Sequence, residues 1–493
     1  MKYRHLIGLA LACVLLLSCF GCGADKKAET SSFALKVNDT AYSAAQVNYE
    51  YMGVYQQYSQ YGSYFGSVLP DDPYSMGDSD EYKTWGDFYM AQTKEKLQQL
   101  TSLCDMAARD KVELDESDKA DIDNWIESIK SSAETLGKDD IDAFLSENFG
   151  EGVTEEVLRD MAQRETLAMK YVQHFEDSLE FSKKEIDAEY KNDKDSYDVY
   201  HFTYCMIGAT QDQTVAPDEA GMNAAKAKAD DIAAKLKQSG EPTADSFKAV
   251  VGDDPDVQFS TADMDGATLT QYQVPFEDWI KDAKRTTGDV EVFEQEGYGW
   301  FVILFEGRAR NTDPTVNVRH ILVRATDADG DGSLSDAEMA EAKTKIEQIK
   351  AEWDAGEQTE ERFGELANQY SDDGGSNTNG GLYENVYEGQ MVPEFNDFCF
   401  DPDRKTGDVA IVEDETYSGW HLMYFVGTGD PYTDIVIRES LTEKAMTDFS
   451  ESLTKDVKVV EGDQFQQVGL SEKYLESLKA DYSVTDPEES SEP

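Results

Sequence analysis

Oxygen-bearing side chains alternate along the segment 327–338, which reads DADGDGSLSDAE. The candidate metal ligands in this segment are Asp327, Asp329, Asp331, Ser333, Ser335 and Glu338. Their spacing is that of the EF-hand calcium loop, in which a central glycine, here Gly332, permits a sharp turn and the final glutamate binds through both oxygens. A strand-like segment replaces the usual entering helix, so we expect a structural Ca²⁺ site of weak affinity, about 0.1 to 1 mM. The alternative is a solvated Asp-Gly turn that only begins the following helix.

Two of the five histidines lie in strand-like blocks, His320 in VNVRHILV and His421 in GWHLMYFVG. Between them the chain carries LANQYSDDGG, which contains Asp373, and then GGLYENVYEGQMVPEFNDFCF. These blocks, in this order between Val316 and Gly427, resemble a parvulin-type peptidyl-prolyl isomerase domain.

The resemblance implies the site residues. Those at the family's catalytic positions are His320, Asp373, Met391, Phe395 and His421, and those at its proline pocket are Leu382, Met391 and Phe395. In the family the two histidines hold a hydrogen-bonded network under the substrate amide, and a carboxylate such as Asp373 disfavours charge on the prolyl carbonyl. Rotation about an X-Pro bond faces a barrier of about 18 to 20 kcal/mol and needs no cofactor. The alternative is that the histidines are ordinary core imidazoles and that the pocket residues are core residues around a helix start at Pro393.

An internal repeat precedes this stretch. RTTGDVEVFEQEGYGWFVILFEG, starting at Arg285, matches RKTGDVAIVEDETYSGWHLMYFVG, starting at Arg404. Tyr204 falls where His320 stands in the second copy, Phe301 falls where His421 stands, and the first copy has no YSDD block. The first copy is therefore predicted to be a parvulin-like binding or spacer domain without catalysis.

The sequence before the repeat has mainly helical periodicity. Ser43 and Gln46 fit a capping box, and the stripe that follows consists of Val47, Tyr51, Val54, Tyr58, Tyr61 and Phe65. The stripe fits either a core or a surface that contacts substrate. The blocks SENFGEGVTEEVLRDMAQRETLAMKYV and FSKKEIDAEYKNDKDSY resemble the chaperone lobe of the SurA and PrsA class. That resemblance implies that the C-terminal segment packs back on the lobe, with VKVV near ALKV.

The predicted fold class is a multidomain α+β protein, with a helical SurA-like chaperone lobe completed by the C-terminal segment and two tandem parvulin-like domains. The predicted segments are 1–18 signal peptide, 19–32 tether, 33–197 chaperone lobe, 198–309 degenerate parvulin-like domain, 315–428 isomerase domain with the EF-hand-like insertion 327–338, 432–480 returning helix and strand, and 481–493 disordered acidic tail.

The N-terminus resembles a bacterial lipoprotein signal. Basic residues precede an apolar run, 6–17, and Leu16 stands three residues before Cys19, the favoured lipidation site. Cys22 is the alternative site, and an ordinary cleaved signal is the alternative interpretation. Two acyl chains would hold the protein stably at the membrane.

Acidic residues dominate the composition. Asp and Glu number 101 against 44 Lys and Arg, a net charge of −57, which argues against binding nucleic acid. The cysteines beyond the predicted tether, Cys104, Cys205 and Cys399, are too widely spaced to predict a disulfide framework and are expected to be buried thiols. The favoured hypothesis is a lipid-anchored isomerase and chaperone on the extracytoplasmic face of a bacterial membrane, with unfolded or newly secreted polypeptides containing X-Pro bonds as partners. The alternatives are a non-catalytic holdase with both parvulin domains as clamps and a calcium-dependent surface-interaction lipoprotein.

Overall fold

The computed structural model describes residues 32–61, 68–76, 81–210, 216–414, 416 and 418–484. The predicted signal peptide, the candidate lipidation sites Cys19 and Cys22, most of the tether and Phe65 lie outside these residues.

The described chain begins with two short strands and seven helices, after which strands and helices are mixed. The helices are α1 Ala44–Ser59, α2 Trp85–Asp110, α3 Glu116–Thr135, α4 Ile141–Phe149, α5 Glu155–Asp177, α6 Lys183–Asn192, α7 Lys194–Tyr197, α8 Glu219–Gln238, α9 Ala244–Val251, α10 Gly266–Gln271, α11 Glu277–Lys281, α12 Asp336–Ala355, α13 Glu360–Tyr370, α14 Pro393–Phe400, α15 Tyr432–Ser452 and α16 Glu472–Val484. The strands are β1 Leu35–Val37, β2 Thr40–Tyr42, β3 Asp198–Gly208, β4 Val257–Asp265, β5 Val290–Gln295, β6 Gly299–Arg310, β7 Pro314–Arg324, β8 Leu382–Val386, β9 Val409–Asp414, β10 Gly419–Pro431 and β11 Val459–Glu461.

The chain divides into two compact units. One contains the residues before 181 and after 440, and the other contains Phe181–Ser440. The predicted chaperone lobe ended at residue 197, but α6 and α7 belong to the second unit. The physical reason is a pair of ion contacts, because Asp187 binds Arg310 and Asp195 binds Arg308 at the end of β6.

A three-stranded sheet ties the two ends of the first unit together. Its order is β11-β1-β2, and β11 pairs antiparallel with β1, with Val460 opposite Lys36. The prediction that VKVV lies near ALKV is confirmed. The C-terminal α16 continues to Val484, so the predicted tail began four residues too early, and residues 485–493 lie outside the described chain.

The N-terminal helix α1 begins at the predicted capping box. The Ser43 side chain accepts from the Gln46 amide, and the Gln46 side chain accepts from the Ser43 amide. The first half of the predicted stripe is buried, including Val47 and Tyr51, whereas Tyr61 is 45% exposed. The core interpretation therefore holds for the first turns of α1.

The second unit contains two four-stranded antiparallel sheets of the same design. Their orders are β4-β3-β6-β5 and β8-β7-β10-β9. In the first sheet Phe301 pairs with Met206, and in the second His421 pairs with Leu322. Counting along the registers places Tyr204 where His320 stands, so the equivalences predicted from the repeat are confirmed.

The strands β6 and β10 both begin with glycine, because the neighbouring strand passes close to that position in each sheet. A Cβ atom at Gly299 would lie 2.1 Å from the Ile207 carbonyl oxygen, and one at Gly419 would lie 2.7 Å from that of Val323. This close approach explains why the Gly-Trp pair occurs in both copies of the repeat.

Helices cover the two faces of the second sheet differently. On one face α12 and α13 pack against Ile321 and Leu422. On the other face α14, which begins at Pro393 as predicted, packs Phe395 and Phe398 against Val318. The sheet residues left between α14 and the loop after α13 form the candidate site.

The three cysteines of the described chain are free thiols. Cys205 and Cys399 are buried as predicted, and burial raises the pKa of each thiol to about 12. Cys104 is only half-buried; it packs against the edge of the core that contains Leu100 and Leu103, and its thiol donates to the Arg164 carbonyl. Across the described residues, every helix is too short or too polar to cross a membrane.

Candidate active site

Two imidazole rings meet on neighbouring strands at the centre of the second sheet. His320 on β7 lies opposite Met423, and His421 on β10 lies opposite Leu322, so the two rings are diagonal neighbours on one face. Their Nδ1 atoms are 2.9 Å apart, and each residue is only 4% exposed. Two nitrogens at this distance must share a proton.

A buried carboxylate that the sequence analysis missed completes one end of this pair. Asp414 on β9 places its Oδ2 atom 2.7 Å from His421 Nε2, and its side chain is fully buried. Val412 lies opposite His421, and Asp414 is two residues further along the same face. The hairpin register between EDETYSG and its flanking strands was the signal that could have found it.

Asp373 completes the other end. Its Oδ2 atom lies 2.9 Å from His320 Nε2 and accepts hydrogen bonds from the hydroxyls of Ser376 at 2.5 Å and Tyr383 at 3.1 Å. The hydrogen bond from His320, followed by that from Ser376, holds the pKa of Asp373 well below its usual range despite the opposing effect of burial. Asp373 is therefore an ionised carboxylate at neutral pH. Ser376 and Tyr383 were not among the predicted site residues.

The loop that carries Asp373 is fixed to the sheet by its neighbours. The Asp372 amide donates to the Leu322 carbonyl at 2.8 Å, and the Asp372 side chain accepts from the Arg324 amide at 3.0 Å. Asp372 thus holds the local backbone, and Asp373 is directed at His320.

An aromatic wall stands beside the histidines. The Phe395 ring is edge-on to His320 at 5.4 Å and to His421 at 5.6 Å between ring centres. Met391 is half-buried and packs against the cluster that contains Phe395. The structure therefore brings together five predicted residues: His320, Asp373, Met391, Phe395 and His421.

Leu382 does not join them. It lies opposite Arg319 on β7, and among the described apolar side chains it does not pack against the Phe395 cluster. Tyr383 occupies that place, with its ring 5.2 Å from His320 and 6.3 Å from Phe395. Successive residues of a strand face opposite sides of the sheet, so placing Tyr383 in the site turns Leu382 away from it.

The corresponding face of the first sheet is aromatic. The Tyr204 and Phe301 ring centres are 6.0 Å apart, and Phe276 lies 5.8 Å from Phe301, as Phe395 lies near His421. Gln295 pairs with Gly299 as Asp414 pairs with Gly419. In the described part of the first copy, apolar packing replaces the whole chain of hydrogen bonds.

The predicted calcium loop brings three of its carboxylates together. Asp327, Asp329 and Glu338 each place an oxygen within 4.8 Å of the others. Asp331 is outside this group and accepts from the Ser333 amide, and Ser335 caps α12. Glu338 accepts from the amides of Ala328 and Ser335, which lowers its pKa. The chemistry of the loop suits a hard cation, and its hydrogen bonds equally suit a helix start.

Comparison with known proteins identifies this part of the chain. Residues 304–426 match the family model of the PPIC-type PPIASE domain. The parvulin resemblance expected from the sequence is confirmed for this segment, as is a mixed α+β fold.

Curated relatives carry the names of chaperones and foldases. Chaperone SurA of Hahella chejuensis is 28% identical over 290 residues, which are 57% of this chain and 61% of the relative. Foldase protein PrsA 1 of Listeria monocytogenes is 24% identical over 264 residues, 52% of this chain and 72% of the relative. The chain thus spans less than two thirds of the SurA relative's length.

Similar solved structures include two PrsA proteins. PrsA from Bacillus subtilis is 14% identical with a TM-score of 0.28, and the match covers 77% of this chain and 91% of that chain. PrsA from Bacillus anthracis is 18% identical with a TM-score of 0.20, covering 62% and 99%.

Proposed function

We propose that this chain is a lipid-anchored foldase that acts outside the cytoplasm as a peptidyl-prolyl isomerase and chaperone of newly exported polypeptides. The observation that carries the proposal is the hydrogen-bonded chain from His421 through His320 to Asp373 beside the Phe395 wall, within the segment that matches the isomerase domain.

The proposed mechanism uses an apolar wall and a fixed charge. Phe395 and Met391 receive the proline ring and exclude water from the amide, which favours the less polar twisted form over the planar ground states. The Asp373 carboxylate, held by His320, opposes charge on the prolyl carbonyl oxygen and so weakens amide resonance. No proton transfer or covalent bond to the protein is required.

A proline-limited refolding assay tests the isomerase. Asp373→Ala combined with His320→Ala removes the carboxylate and its charged hydrogen bond, a contact worth about 1.5 to 3 kcal/mol, or about 10- to 150-fold in kcat/KM. Tyr204→Phe in the first copy is the matched control and should retain full activity. An intact chain that accelerates nothing would refute the isomerase claim.

The anchor is proposed from the sequence around Cys19, where an apolar run and Leu16 precede the cysteine. Fractionation of cells that express Cys19→Ala and Cys22→Ala tests it. Release by the first variant alone supports Cys19, and release by the second alone supports Cys22. Full membrane retention of both single variants and of the double variant would exclude lipidation at these cysteines.

A holdase is the second candidate function, favoured by the aromatic face at Tyr204, Phe276 and Phe301. Suppression of aggregation by the Asp373→Ala, His320→Ala variant distinguishes the two activities. A variant that prevents aggregation as well as the wild type, while the wild type accelerates no isomerisation, identifies a clamp without catalysis.

We also propose that residues 327–338 bind Ca²⁺ weakly, with the oxygens of Asp327, Asp329 and Glu338 as the central ligands. Calorimetric titration with CaCl₂ should give a Kd of about 0.1 to 1 mM. Glu338→Gln should abolish the heat, whereas Glu341→Gln, on the exposed side of α12, should not. No binding at several millimolar would remove both the site and the calcium-dependent surface function.

A further inference from the structure

Four side chains form an unbranched line of close polar contacts through the core of the candidate site. Asp414 Oδ2 lies 2.7 Å from His421 Nε2, the two Nδ1 atoms are 2.9 Å apart, and His320 Nε2 lies 2.9 Å from Asp373 Oδ2. A carboxylate therefore stands at each end, with two imidazoles between.

We propose that Asp414 is a positioning residue that makes the two imidazoles hold three ring protons, one more than two neutral imidazoles carry. This inference rests on the proposed isomerase function for its consequence in catalysis, but the proton count itself does not.

The number of ring protons follows from the requirement that each contact has one hydrogen-bond donor. A carboxylate only accepts hydrogen bonds, so His421 Nε2 must be protonated toward Asp414, and His320 Nε2 must be protonated toward Asp373. The contact between the two Nδ1 atoms needs a third proton, because two lone pairs at 2.9 Å would repel. Three contacts thus need three protons, and the line of four groups carries a net charge of −1.

The alternative of two neutral imidazoles, with His320 Nε2 unprotonated, conflicts with the contacts of Ser376. If His320 Nε2 were unprotonated it could accept from the Ser376 hydroxyl, 3.2 Å away. The 2.5 Å contact between Ser376 and Asp373 would then lack a donor unless Asp373 were protonated. The Tyr383 hydroxyl and the Gly375 amide also donate to this carboxyl group, at 3.1 and 3.2 Å, and these hydrogen bonds favour its ionised form.

Among the described residues, the other groups that contact the line leave the number of ring protons unchanged. Tyr383 on β8 donates its hydroxyl to Asp373, and the Thr416 amide donates to the second oxygen of Asp414. On α14 the ionisable residues are Glu394, half-buried, Asp397, exposed, and Cys399, buried, and within the described chain none of them bonds to the two histidines.

The shared proton makes the site sensitive to alkali. When this proton is lost, one of the three contacts of 2.7 to 2.9 Å has two acceptors and no donor. The two acceptors repel each other, so that contact must lengthen. Burial, and then the neighbouring His320, lower the pKa of His421, whereas its hydrogen bond to Asp414 acts in the opposite direction and retains the third proton. Isomerase activity should therefore have an alkaline limb that falls up to tenfold per pH unit.

Nitrogen NMR of the full chain labelled with ¹⁵N-histidine counts these protons directly. His5→Gln, His174→Gln and His201→Gln leave only the two rings of interest. Near pH 6.5 we expect both Nε2 atoms to be protonated and one proton to be shared between the Nδ1 atoms. Two neutral rings, with either Nε2 atom unprotonated, would overturn the proposal, and this result needs no substitution in the site.

Asp414→Asn tests the role of Asp414. The asparagine amide can donate to His421 Nε2, so the proton of that ring moves to Nδ1 and two ring protons satisfy all three contacts. The third proton and the alkaline limb of kcat/KM should both disappear. Glu413→Gln, on the exposed side of β9, is the matched control and should behave as wild type. If Asp414→Asn keeps the wild-type NMR pattern, Asp414 does not set the count.

The two arms separate the possible failures. If the chain proves to have no isomerase activity, the NMR count still decides whether Asp414 imposes the third proton. If the activity exists but the rings hold two protons, the proposed function stands and this inference falls.

Discussion

Four side chains with different roles share one face of a sheet, and their positions depend on strand geometry more than on residue type. His320 and His421 meet because they are diagonal neighbours, and Tyr383 enters the site because it lies opposite Val318. Asp414 reaches His421 for the same reason. A change of one residue in any of these registers would turn the side chain to the opposite face.

At the residue scale, Met391→Ala tests the apolar pocket. A half-buried methionine contributes about 1 kcal/mol of contact, roughly half the value of full burial. We expect KM for a prolyl substrate to rise about fivefold with kcat little changed, because ground state and transition state lose the same contact. Val274→Ala in the first copy is the control. A fall in kcat with constant KM would show that Met391 acts in the transition state alone.

Sequence blocks could locate His320, Asp373, Met391, Phe395 and His421, since these residues lie inside recognisable motifs. Leu382 was wrong because its motif position does not reveal which face of β8 it occupies. That face is set by the pairing of Tyr383 with Val318, which places Leu382 opposite Arg319. Asp414 was missed because its contact crosses a hairpin whose length the sequence did not fix.

At the scale of elements, three helices of the first unit meet around one ammonium group. Lys96 on α2 places Nζ 2.6 Å from Glu50 on α1 and 3.4 Å from Glu165 on α5. Both carboxylates are buried, and the Tyr49 hydroxyl donates to Glu165. Burial is the main cause that raises the pKa of Glu165 to about 8. The single ammonium group of Lys96 thus pairs with two buried carboxyl groups.

The first unit should lose stability as pH rises toward 8. Folded Glu165 keeps its proton up to about pH 8, whereas in the unfolded chain it ionises near 4.5, so folding binds a proton between these values. The free energy of unfolding should fall by at most about 1.4 kcal/mol per pH unit in this window. Denaturant unfolding of Glu165→Gln should show a flatter profile. Glu176→Gln, exposed on the same helix, should keep the wild-type slope; equal slopes for all three proteins would contradict the assignment.

The pairing of β11 with β1 depends on a glycine just after β11. A Cβ atom at Gly462 would lie 2.1 Å from the Phe33 carbonyl oxygen, whereas one at Gly53, in the middle of α1, meets nothing within 4 Å. Gly462→Ala should therefore lower the unfolding midpoint of the first unit. Gly53→Ala should stabilise the unit by about 0.5 to 1 kcal/mol. Calorimetry of the two variants gives shifts of opposite sign, and shifts of the same sign would refute the account.

Local patterns predicted these elements unequally. The capping box at Ser43 and the helix start at Pro393 were readable because the signals lie within four residues. The boundary between the two units at residue 181 could not be predicted from local patterns. It depends on ion pairs of Arg308 and Arg310 with residues more than a hundred positions away.

At the scale of the whole molecule, the excess of acidic groups dominates the long-range electrostatics. The net charge of −57 places many carboxylates within a Debye length of one another at low salt. Such self-repulsion destabilises compact states.

Salt should therefore stabilise this protein. Raising NaCl from about 20 to 500 mM shortens the Debye length severalfold. If screening contributes about 1 kcal/mol, the unfolding midpoint of a unit of 150 to 250 residues rises by about 2 to 4 °C. Calorimetry in NaCl and in KCl should give the same rise, because monovalent screening does not depend on the cation. A midpoint that falls with either salt would show that attractive ion pairs outweigh the repulsion.

The matched registers of the two sheets also show what this strand arrangement does not require. One copy keeps its strands paired with Tyr204, Phe301 and Gln295 at the positions where the other carries two histidines and an aspartate. The same four-stranded order therefore accepts either an aromatic or a polar set of side chains. The two histidines and the aspartate can accordingly be replaced as a set while the sheet keeps its shape.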